Sequence, residues 1–170
     1  CENAGTIDYL GDKAIREGKT GVEWHAPTRP VSTEVEATYR VMQVAGELGV
    51  PVLVVHMSAA GAVEEVAKAR ARGVKAYGEA MPHFLLLDDS EYNRPGYEGM
   101  KYVITPPLRP KAHQEALWAN LRNNTLVTVG SDHCAFPYKD KIRLFETRGS
   151  VFQKIPHGAP GIETRVPLIY

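Results

Sequence analysis

The sequence predicts an α/β fold built on a parallel sheet with helices packed outside it, and three observations carry that prediction. Two short runs rich in β-branched residues, Pro51-Val52-Leu53-Val54-Val55 and Leu126-Val127-Thr128-Val129, read as strands buried on both faces. Segments with helical spacing of apolar residues lie between them. Side chains able to bind metal or move protons stand just beyond the strands, His56 after the first and Asp132 after the last. Right-handed crossovers between such strands leave two architectures, an open doubly wound sheet or part of a (β/α)8 barrel.

The elements follow in order. Thr33 opens a helix: Thr33 with Glu36 fits a capping box, and Val35, Tyr39, Met42, Ala45 and Leu48 fall at helical spacing up to a stop at Gly49. After the strand at residues 51–55, Ser58 is placed to cap a helix carrying Val63, Val66 and Ala67 as far as Gly73. Residues 74–80 form a second strand, and residues 101–105 a third, closed by Pro106-Pro107. A helix over residues 114–121 leads into the strand at 126–129. Residues 137–155 mix charges with scattered apolar positions and read as a long excursion or loop. The stretch Val166-Pro167-Leu168-Ile169-Tyr170 looks like the start of something buried, and with the abrupt opening at Cys1-Glu2-Asn3 both ends look cut.

Composition narrows the function classes. Of 170 residues, 44% are hydrophobic and 24% charged, the balance of a globular domain with a real core. Twenty basic residues offset twenty acidic ones, which removes the electrostatic case for nucleic acid or an anionic membrane as the main partner. The longest apolar run, at residues 51–55, is too short to span a bilayer, and no export leader opens the chain. Two cysteines, Cys1 and Cys134, make no disulfide framework and suit a reducing cytoplasm. No glycine-rich phosphate loop follows a strand, which weighs against nucleotide binding.

In a parallel barrel the C-terminal strand ends converge on one face, so His56 and Asp132 are expected together there. A neutral imidazole and a carboxylate suit Zn²⁺ or a similar ion. Taken singly each has a plainer role, the histidine capping a loop and the aspartate a helix; taken together they favour a metal site. Two ligands do not complete a catalytic zinc, which usually has three from protein plus water. His25, in a polar loop, and His113, on a helix, are expected at the solvated surface, and His83, between Pro82 and Phe84, is expected to pack. His133 diverges from its neighbour Asp132, and Cys134 is equally consistent with lining a pocket or packing.

Several strings resemble hydantoinases and dihydropyrimidinases in order and approximate spacing. They are Val54-Val55-His56-Met57-Ser58, Tyr77-Gly78-Glu79, Lys101-Tyr102-Val103-Ile104-Thr105-Pro106-Pro107-Leu108-Arg109, Ser131-Asp132-His133-Cys134 and Lys154-Ile155-Pro156-His157-Gly158. Glu23-Trp24-His25 and Gln114-Glu115-Ala116-Leu117-Trp118 add to the likeness, which covers nearly the whole chain. The resemblance implies a partial (β/α)8 TIM barrel of amidohydrolase type. Residues 1–170 would be the C-terminal half of that catalytic barrel, roughly strands 5 to 8 with their helices, from a longer chain. It further implies metal-dependent ring opening of a small cyclic ureide or imide, two zinc ions bridged by a carboxylated lysine not present in this chain, and a homotetramer.

Residue by residue, the resemblance makes His56 the ligand after the sixth strand and Asp132 the ligand after the eighth. It also makes Asp132 the catalytic group that takes a proton from the attacking water and passes it to the leaving ring nitrogen. Thr105, Cys134 and His157 fall at substrate-binding positions. Cys1-Glu2-Asn3 resembles the tail of the fifth-strand motif, whose histidine would precede Cys1. Two residues depart from the family pattern, Thr105 where serine is common and His157 where asparagine is common. The rivals are an allantoinase, a non-catalytic dihydropyrimidinase-like scaffold and a self-contained doubly wound binding domain. The Pro-Pro-Leu-Arg and Lys-Ile-Pro strings favour the hydantoinase side, and intact His56 and Asp132 weigh against the scaffold.

Overall fold

The computed structural model describes residues 1–169. Helices α1 (Ala4–Arg16) and α2 (Val31–Leu48) precede strand β1 (Val52–Val54); α3 (Ala60–Ala71) and β2 (Ala76–Ala80) follow. Next come α4 (Pro82–Leu86), two short 3₁₀ turns, α5 (Ala112–Arg122), β3 (Leu126–Val129), α6 (Tyr138–Thr147) and α7 (Ile162–Ile169). The strands lie in the order β1-β2-β3 and both pairings are parallel. Helix α3 crosses from β1 to β2, and α5 returns the chain to β3. Two hydrogen bonds continue the ladders past the strand ends, Met57 N–H to Glu79 O and Gly130 N–H to Ala80 O, each 2.9 Å. These bonds hold the segments after β1 and β3 on either side of the end of β2.

Ala62, Val63, Val66 and Ala69 of α3 are fully buried in one core with Met42 of α2, Val54 of β1, Ala76 of β2, Leu117 of α5 and Leu126 of β3. Each large aliphatic side chain buried there contributes about 1.5–3 kcal/mol. The strands are covered on one face only, against the expectation of two: Leu53, Tyr77 and Val127 point the other way and remain 47%, 40% and 43% exposed. Gly49 ends α2 in the left-handed conformation, φ 65°, which costs glycine nothing.

Several local expectations are corrected. Helix α2 starts at Val31, and Pro30 O accepts both the N–H and the hydroxyl of Thr33, so no capping box forms. Glu36 instead accepts from Asn3, whose side chain also caps α1, a helix the apolar pattern did not reveal. Helix α3 begins after Ala59 rather than Ser58, and its first free amide, Ala60 N–H, donates to His113 Nδ1 at 3.1 Å. His113 is therefore a cap acceptor, not a solvated surface residue.

Residues 101–105 are not a strand. A 3₁₀ turn, Glu98–Tyr102, runs into an extended segment whose carbonyls are used elsewhere: Val103 O accepts from Gly158 N–H and Lys141, and Ile104 O from His25. Within residues 137–155, Tyr138–Thr147 is a helix that packs Ile142 and Phe145 on the core while Arg143 and Glu146 stay outside. Residues 166–169 of the expected buried stretch belong to α7, whose Ile162, Val166 and Leu168 are exposed rather than buried, and Tyr170 lies outside the described residues. Among the described residues no helix is long and apolar enough to cross a membrane.

Candidate active site

Both strand-end residues leave the sheet by a left-handed turn, His56 with φ 44° and Asp132 with φ 41°. Few side chains adopt that region, histidine and aspartate more readily than most, and outliers of this kind cluster at functional sites. The two residues line one cavity of about 210 Å³. Thr105, Cys134 and His157, singled out on the sequence, line the same cavity, so the fold gathers all five from segments spread over 102 residues of chain. His83, expected only to pack, lines it too. It donates from Nε2 to Pro160 O at 2.9 Å. His133 is held apart from the cavity, its Nδ1 accepting from Gly161 N–H at 3.2 Å.

One wall of the cavity is made by two backbone segments tied together. Thr105 Oγ1 and His157 Nδ1 are hydrogen-bonded at 2.7 Å, so two of the residues singled out on the sequence touch each other. Gly158 N–H donates to Val103 O at 2.9 Å, and Cys134 N–H donates to Ala159 O at 3.1 Å. Gly158 has φ 155°, and a Cβ there would run into the carbonyl oxygen of Cys134. Only glycine lets the segment pass so close.

Behind this wall sits His25, buried rather than solvated. Its Nε2 donates to Ile104 O at 2.8 Å, and its ring meets His157 edge-on with centroids 4.8 Å apart. Burial, then the neighbouring His157, holds the His25 pKa well below the ordinary histidine value. Burial, helped by the charges of Arg29 and Lys141, lowers His157 to about 4. Both rings are therefore neutral at pH 7.

A second buried group supports the turn that follows His56. Glu34 on α2 accepts from Ser58 N–H at 2.8 Å, Ser58 Oγ at 2.5 Å, Ala59 N–H at 3.2 Å and Arg109 Nη2 at 3.0 Å. Arg109 also donates to Ser58 Oγ and to Arg29 O. Glu34 sits in no local pattern that would mark it, and Arg109 enters only as the end of the Pro-Pro-Leu-Arg string, because their partners lie far away in sequence.

As a metal site the donor set is partial. Among the described residues His56 Nδ1 is buried without a partner, as is His83 Nδ1, and Asp132 supplies a carboxylate on the same cavity. Among the described residues, no three His, Cys, Asp or Glu side chains converge as a complete ligand set. Of these donors, His56 and Asp132 stand at the strand ends, so the chain fits a metal ion as the contributor of part of its ligands. A larger hollow of about 380 Å³ opens on the far side of His157, lined by Asp8, Asp12, Arg29 and Lys154, but neither His56 nor Asp132 reaches it.

No family model matches the chain. It is 47% identical to a D-hydantoinase of Geobacillus stearothermophilus over 170 residues, 100% of this chain and 36% of that protein. A dihydropyrimidinase of Arabidopsis thaliana is 38% identical over 171 residues, 100% of this chain and 32% of that protein. The fold superposes on the crystal structure of a dihydropyrimidinase from Brevibacillus agri with a TM-score of 0.95 at 43% identity, covering 99% of this chain and 36% of that one. The chain therefore spans about a third of the length of the relatives it matches.

Proposed function

Since these 170 residues belong to the hydantoinase and dihydropyrimidinase family, we propose that they form part of a metal-dependent enzyme that opens cyclic amide rings by hydrolysis. The observation that carries this reading is the pair His56 and Asp132, both turned left-handed at the ends of parallel strands and both on one cavity. Their side chains would hold a divalent ion, zinc by preference, with the remaining ligands and a second ion supplied from outside this chain. A bound ion of this kind makes water ionisable near neutral pH and polarises a ring carbonyl.

The chain's own residues do the rest. Asp132 accepts a proton at its carboxylate from the attacking water. It then delivers that proton to the ring nitrogen as the C–N bond breaks, a base first and an acid second. Thr105, Cys134 and the segment at His157 offer hydroxyl, thiol and backbone groups to the adjacent N–H and C=O of a hydantoin or dihydropyrimidine. The fold is then half of an amidohydrolase (β/α)8 barrel, its strands the later ones of the ring, in a soluble cytoplasmic homotetramer. Intact metal-binding side chains at 56 and 132 favour this over a non-catalytic scaffold.

The test is made in the full-length enzyme that carries this chain. Asp132→Asn should slow ring opening by about 10²–10⁴-fold. His56→Ala should lower bound metal first, with activity partly recovered in excess zinc. A folded Asp132→Asn enzyme that opens dihydrouracil and hydantoin at the parent rate would mean that Asp132 carries no proton.

A further inference from the structure

Lys141 is 2% exposed on α6, in a helix whose other charged residues face water. Among the described residues its ammonium has no carboxylate partner. All three donors go to main-chain carbonyls instead: Gly158 O at 2.7 Å, Val103 O at 3.1 Å and Met100 O at 3.1 Å. An unpaired charge is expensive to bury, so a lysine retained here must be satisfied by those three dipoles. The carbonyls belong to the two segments that form one wall of the His56–Asp132 cavity. Gly158 adjoins His157, and Val103 lies two residues from Thr105. Lys141 does not itself line that cavity.

We propose that Lys141 is a positioning residue for the ring substrate, clamping the Val103 and Gly158 carbonyls so that Thr105 and His157 are presented to the ring at a fixed spacing. The clamp rests on the cyclic-amide reading of the site. Hydrogen bonds to a charged group are about twice as strong as neutral ones, so one ammonium shared by two segments fixes their separation better than the neutral Gly158–Val103 and Thr105–His157 bonds alone. Uniform loss of substrate contact raises KM and leaves kcat alone, whereas damage to the proton-moving group lowers kcat.

The experiment compares full-length parent enzyme with Lys141→Met, which keeps the side chain's bulk and removes every donor. KM for dihydrouracil and hydantoin should rise about tenfold, the loss expected when charge-assisted bonds are removed. The kcat should stay within about threefold and metal content should be unchanged. Amide exchange at Gly158 and Cys134 should quicken while Met57, on the far side of β2, keeps its protection. If Lys141→Met does not fold, Lys141→Gln, which retains one amide donor, is judged by the same measurements. Unchanged KM in an active folded variant overturns the clamp, as does unchanged exchange at Gly158. A parent enzyme that opens neither ring refutes the cyclic-amide reading instead, and the clamp's role in substrate binding falls with it.

Discussion

Acidifying the full-length enzyme from neutrality to about pH 4 probes the cavity wall through His157. Burial, with smaller help from Arg29 and Lys141, lowers this imidazole from the ordinary 6.5 to about 4. Each pH unit of difference between folded and unfolded chain corresponds to about 1.4 kcal/mol, so charging His157 in place costs about 3 kcal/mol. The sign follows from which state holds the proton. Between about pH 4 and 6.5 the unfolded chain binds it and the folded one does not. The stability tied to the neutral ring is therefore whole above pH 6.5, falls as pH drops below it, and is lost by pH 4. His25, buried behind the same wall, adds in the same direction. Histidine-labelled enzyme titrated by NMR, with His157→Asn to assign the resonance, reads the value directly. Thermal midpoints should fall more steeply with acid in the parent than in His157→Asn. A His157 resonance titrating near pH 6.5, or midpoints that fall in parallel, would show that the wall is open to water.

Two further outcomes follow from packing. Arg109→Met leaves Glu34 buried without its cation and should destabilise the enzyme by about 3–5 kcal/mol; an unchanged thermal midpoint would show that the Ser58 and Ala59 amides suffice. The 170-residue chain made alone should associate and open no ring. The chain spans about a third of the length of its relatives, and Leu53, Tyr77 and Val127 leave an apolar sheet face uncovered. Sedimentation that finds a monodisperse monomer with hydantoin-opening activity would refute this.

How much of the site could be read from the sequence depended on how local each residue's cause is. His56 and Asp132 announce themselves because each stands directly after a run of apolar, β-branched residues, a pattern contained in a few positions. Three of the four expected strands lie within two residues of β1, β2 and β3, the first and last for the same reason. Thr105 and His157 carry no such mark and enter only through likeness to a known family; Cys134, two residues past Asp132, reads equally as lining a pocket or packing until that likeness is used. His25, Glu34 and Lys141 escaped because their burial is set by partners 79, 24 and 38 residues away. In the sequence such residues look like ordinary surface charges. The segment at residues 101–105 misled for a related reason: its apolar side chains are buried as a strand's would be, but its carbonyls are taken by a histidine and a lysine.

The left-handed turns at His56 and Asp132 also say where this fold gives up robustness for chemistry. Glycine would take φ near 40° without the steric penalty of a Cβ, whereas each of these residues holds a conformation that costs of order 1–3 kcal/mol. Selection for stability alone would drift both positions toward glycine and leave an inert cavity behind. Asn124 and Ser150 take the same backbone region away from the cavity, but at His56 and Asp132 the penalty falls where an imidazole and a carboxylate are wanted, while Gly49 and Gly73 take that region where no side chain is needed. Stability and activity are thus set against each other at the two residues on which the proposed chemistry depends.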